Sequence, residues 1–128
     1  MAKPGAKSIG CLTLLALLLA VNLVNLPNKR KVDPANRAAG DRIVRALEQC
    51  RKEKSVYPAE LQLLVPAYVT EVPLVRMREK DPGRPFRYTA LEDGKRFLLE
   101  YPEAAIGMLP SDAAYEYDSR TGAWRPKM

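Results

Sequence analysis

Histidine is absent from the 128-residue chain, and that one gap removes the Ser-His-Asp triad, the Cys-His pair and the common zinc sites. Phosphate loops and dinucleotide glycine fingerprints are missing as well. Cysteine is scarce: Cys11 opens an apolar run and Cys50 falls in a predicted helix, so an intrachain disulfide is not expected. Nothing in the sequence around Cys50 points to a depressed thiol pKa, and it reads as a small buried core residue. Acid is missing from the start of the chain, where Lys3 and Lys7 stand alone and all 15 carboxylates come after Leu26. The net charge is +6, yet no recognition motif or run of exposed aromatics accompanies the cations, and nucleic acid is not an expected partner.

What is present first is an apolar stretch from Ile9 to Leu26, free of charge and ended by Pro27. As a helix it would be roughly 27 Å long, close to a hydrocarbon core of about 30 Å. The expectation is a single-pass transmembrane helix over residues 9–26, behind a basic leader over 1–8. A cleaved secretory signal is the competing reading, but its apolar region is normally shorter and a clear small-x-small cleavage pattern is lacking here. Lys29, Arg30 and Lys31 outnumber the two preceding lysines, and charge counting alone places the C-terminal domain in the cytoplasm.

Residues 27–33 read as a linker, and residues 34–128 are long enough for one globular domain with a single core. Charged residues at 28% and apolar ones at 47% suit a folded domain. Asp33 is placed as an N-cap with Pro34 at the first helical position. From there to about Lys54, the residues Ala39, Ile43, Ala46, Leu47 and Cys50 recur at helical spacing. Arg42, Arg45, Glu48, Arg51 and Lys52 fill the other faces. Pro58 to Val65 predicts a second, shorter helix stopped by Pro66, with Leu61, Leu64 and Tyr68 sealing one end of the core.

The remainder of the chain carries strand signals. Pro85 to Leu91 alternates, with Phe86, Tyr88 and Ala90 on one side, and Asp93-Gly94 supplies a turn. Lys95 to Tyr101 returns with Phe97, Leu99 and Tyr101 in phase. Ala114 to Tyr117 makes a third strand, and Ala123-Trp124 a short fourth. The predicted class is α+β, with an amphipathic helix on a small antiparallel sheet of three or four strands. The acidic residues Asp112, Glu116 and Asp118 are the nearest thing to a catalytic or calcium cluster. They lack an ordered ligand spacing and read as a solvated loop and strand face. No catalytic, cofactor or metal residue is therefore assigned, and the chain is not expected to be an enzyme.

The order of features carries more. An apolar N-terminal helix is followed by an amphipathic helix, Tyr57-Pro58, Leu61 with Leu64-Val65-Pro66 and Tyr68, Val72-Pro73, and then Asp81-Pro82-Gly83-Arg84-Pro85-Phe86-Arg87-Tyr88. Across about residues 35–101 this resembles the type IV pilin-like family, in particular the pseudopilins of type II secretion systems. Cys11 and Leu15 stand where that family usually has Phe and Glu after the leader glycine, here Gly10. The resemblance implies a noncatalytic structural or interaction role in a secretion or pilus-type assembly. It also implies a bacterial inner-membrane location, with the N-terminus cytoplasmic and the domain periplasmic. Expected partners are the lipid bilayer through Ile9 to Leu26 and other pilin-like subunits or secretion-machinery proteins. The alternative is a stand-alone anchored periplasmic binding domain that does not assemble, which the missing Glu favours. A carboxylate hydrolase is a third reading, and it requires activity to be lost on substituting Asp112 or Asp118.

Overall fold

The computed structural model describes residues 32–104 and 113–127. Helix α1 occupies residues 32–54, and the stripe read from its periodicity lies against the core. Ala39, Ile43, Ala46, Leu47 and Cys50 are all buried, with Ile43 and Leu47 fully enclosed. Four strands complete the framework: β1 (Arg87–Leu91), β2 (Arg96–Pro102), β3 (Ala114–Asp118) and β4 (Ala123–Lys127). They form one antiparallel sheet in the order β1-β2-β3-β4. The described domain is thus α+β, a helix laid on a four-stranded meander.

Period-two alternation sends Phe97, Leu99 and Tyr101 of β2 to the helix side, where each is at most 1% exposed. Phe97 is the hub of the core. Its ring meets Tyr57 edge-on at 4.7 Å and stacks on Tyr117 at 5.7 Å, with Tyr88 at 5.9 Å. The opposite face carries charge. Register aligns Arg87, Glu100, Glu116 and Arg125 in one row across the sheet. Lys127 reaches both central carboxylates, at 3.1 Å to Glu100 and 3.4 Å to Glu116.

Several expectations need correction. Among the described residues no helix is long and apolar enough to cross a membrane. α1 fails that test because Arg42, Arg45, Glu48, Arg51, Lys52, Glu53 and Lys54 interrupt its apolar positions. The membrane reading of Ile9 to Leu26 lies outside the described residues, as does the basic leader. Asp33 is not an N-cap: the chain is already helical at Val32, and the Asp33 carboxylate instead accepts the Ala104 N–H at 2.9 Å. The expected helix from Pro58 to Val65 is a single 3-10 turn, Leu61–Leu64. Prolines at 58 and 66 leave too few residues for a stable α-helical segment. Its packing role survives, since Leu61 and Leu64 are buried and Tyr68 packs beside them.

Gly40 shows how closely α1 approaches the sheet. A Cβ there would stand 2.7 Å from the Trp124 ring. Alanine normally improves a helix interior over glycine by about 1 kcal/mol, but here the ring has to move. Trp124 is held by its Nε1–H donating to Asp41 and by edge contacts with Tyr101 and Tyr117. Gly40→Ala is therefore expected to lower stability by about 1–2 kcal/mol despite the gain in propensity. Urea unfolding followed by tryptophan emission reads the effect, and the native emission should shift to longer wavelength as the indole is displaced.

Candidate interaction surface

Two shallow grooves lie where the 70–76 segment crosses the domain. The first, about 590 Å³, is walled by Leu61, Val65, Val72, Leu74, Phe86 and Tyr88, with Glu60 and Glu71 on its rim. The second, about 490 Å³, runs between α1 and the 71–82 segment, over Val32, Ala35 and Ala39, with Arg42 and Arg76 at its margin. Glu71, Val72 and Leu74 line both. Leu74 remains 47% exposed on the ridge between them.

That shared wall is pinned from below. Asn36, 2% exposed on α1, accepts the Arg76 N–H at 2.9 Å and donates to the Arg76 carbonyl at 2.7 Å. One residue earlier, Val75 pairs with Arg84 through two 2.7 Å backbone bonds. The segment that the grooves share is thus fixed to the helix and to the approach to β1 at neighbouring positions. Tyr88 anchors the far wall by donating from its hydroxyl to the Pro58 carbonyl at 2.6 Å, and burial raises its pKa.

Away from the grooves, Arg37 lies over three rings, 4.9 Å from Trp124, 5.3 Å from Tyr115 and 5.9 Å from Tyr101. Its Nε–H also donates to the Tyr101 hydroxyl at 2.9 Å. The aromatic cluster at this end of the sheet is therefore closed by the chain's own cation.

The structure does not assemble the acidic cluster into a pocket. Asp112 lies outside the described residues. Glu116 and Asp118 sit on the outer, charged face of β3, the first beside Lys127 and the second in a two-pronged pair with Arg96 at 2.6 and 3.0 Å. No group of three metal-ligating side chains occurs among the described residues. Cys50 is buried in the core, as read from its helical position. The grooves were not legible as a site, because their walls come from four separated segments of ordinary apolar residues.

The Arg96 pair, with the Arg120 N–H, holds the Asp118 carboxyl down at about 2. An unfolded aspartate titrates near 3.9. Since the folded value is the lower one, the pair's contribution is complete above about pH 4 and is lost as pH falls towards about 2. Acid titration of stability should therefore be shallower over that window in Asp118→Asn than in the parent chain, as measured by urea midpoints at successive pH values.

The chain matches no family model, and no curated protein or solved structure is significantly similar to it. The expectation of a pseudopilin in type II secretion is corrected accordingly: no comparison identifies a pilin-like family or a secretion role.

Proposed function

We propose that this chain is a noncatalytic interaction protein whose α+β domain works through contacts with other polypeptides. The observation that carries the reading is Leu74, exposed on a rigidly pinned ridge between two grooves of mixed apolar and polar lining. Burying the exposed half of this side chain in a partner is worth about 1 kcal/mol, and the wall it stands on needs no ordering on contact. Of the carboxylates that a hydrolase would use, Glu116 and Asp118 are instead committed to Lys127 and Arg96 on an outward sheet face.

A photo-reactive amino acid placed at Leu74 in cells of the native host tests the reading. Covalent adducts to a defined set of partner polypeptides, absent when the same probe replaces Lys95 on the hairpin turn, are the expected result. Free chain alone after irradiation would overturn the proposal.

A further inference from the structure

The two edges of the sheet are not equivalent, and the difference points to a docking strand. Ser119 N–H bonds the Phe97 carbonyl and Phe97 N–H bonds the Ser119 hydroxyl, so the Phe97 backbone faces β3. The bond from Glu103 N–H to the Ala113 carbonyl keeps the same phase. Bonding direction alternates along an antiparallel strand, so Arg96, Leu98 and Glu100 bond towards β1, opposite Leu91, Thr89 and Arg87. The intervening residues of β1, Tyr88 and Ala90, turn their N–H and C=O groups outward. Neither has a backbone bond to another described residue there.

Continuing the alternation to the far edge, Arg125 bonds towards Glu116 and the outward positions of β4 are Trp124 and Pro126. Proline has no N–H and blunts that edge against another strand, whereas exposed arginines stand alike at both ends of the cross-strand row, Arg87 on β1 and Arg125 on β4. β1 carries no such guard at Tyr88 or Ala90. Beside it lies the first groove, with Phe86 and Tyr88 in its wall and exposed Glu60 and Glu71 on its rim, neither of them in an ion pair with another described residue.

We infer that the β1 edge takes an extended segment of a partner polypeptide as a fifth strand, with alternate apolar side chains in the Leu61–Leu74–Phe86 groove and a basic residue at Glu60 and Glu71. Backbone bonds to Tyr88 and Ala90 supply the register, the groove selects apolar side chains at every second position, and the two acids select cation over anion. This names the surface and partner class for the interaction role proposed above and rests on it. The two fail differently: adducts from Leu74 without strand addition at β1 leave the role intact and remove only this inference.

The test uses an end-blocked octapeptide that alternates threonine and valine, with one central valine replaced by lysine so that the cation shares the groove face, titrated into the 15N-labelled full chain. Saturable binding is expected, with the largest amide shifts at Tyr88 and Ala90 and on the groove wall at Leu61 and Leu74. The same peptide N-methylated at alternate residues should bind at least about tenfold more weakly, as should one with glutamate in place of lysine. Ala90→Pro removes an outward N–H and no ladder bond, and should cost a similar factor. If that variant folds poorly, Glu60→Lys with Glu71→Lys, both at exposed positions, should weaken the lysine peptide and favour the glutamate one. No saturation below about 1 mM, equal binding of the N-methylated peptide, or shifts centred on Trp124 to Lys127 would each overturn the inference.

Discussion

Replacing Phe97 with alanine is expected to cost about 3–5 kcal/mol, the largest loss from any single truncation in this domain. The ring is fully buried at the centre of the helix-facing surface and touches Tyr57, Tyr88 and Tyr117. These neighbours cannot collapse into the space. Tyr57 is tied by its hydroxyl to Glu48 and Arg51, and Tyr88 to the Pro58 carbonyl. A cavity lined by tethered rings stays open, and an unfilled cavity adds to the transfer free energy already lost. Against a total stability of about 5–15 kcal/mol for a small domain, that is a large share, and the variant should unfold at a much lower urea concentration. Circular dichroism and the urea midpoint measure the loss. Phe97→Leu, which refills part of the volume, should recover more than half of it. Equal losses in the two variants would show that the ring contacts, which leucine cannot remake, outweigh the volume it refills.

The position of Phe97 could be read directly from alternation with Leu99 and Tyr101, because a strand with one covered face leaves a period of two in its sequence. α1 was legible for the same kind of reason at a period of 3.6, and both readings concern residues near one another in the chain. β4 was harder to read in full. Pro126 argues locally against a strand, and its tolerance depends on a long-range fact that no local pattern encodes, that its nitrogen faces away from β3. Asp33 had the composition of a cap and became a helical residue bonded to Ala104, 71 positions away. The Arg37 stack likewise draws on rings from β2, β3 and β4. Local chemistry allows such residues several uses, and the long-range pairing chooses among them. The grooves share this property, since no wall is unusual in composition and the concavity arises from how the segments cross.

Asn36 is where that long-range dependence can be broken with least disturbance to the rest of the core. Its amide makes two bonds to the Arg76 backbone across 40 residues of sequence. Asn36→Ala leaves one donor and one acceptor without a partner. A buried orphan costs about 1–3 kcal/mol. The second groove admits water close to this point, so the combined loss should be about 2 kcal/mol. The loss should also be local. Val75 keeps its two bonds to Arg84, which limits the freed segment on its N-terminal side, so hydrogen exchange should accelerate at Arg76 and just after it while Val75, β1 and β2 stay protected. Docking is predicted to weaken in step, because the ordering that Asn36 now supplies must then be met at the moment of binding. Asn36→Asp keeps the acceptor and loses the donor, and should fall between parent and alanine variant near neutral pH only if the Arg76 N–H bond outweighs the cost of a buried carboxylate. Exchange rates at Arg76 that match the parent in Asn36→Ala would mean that the ridge is held by Val75 alone, and that the rigid platform under Leu74 has one anchor instead of two.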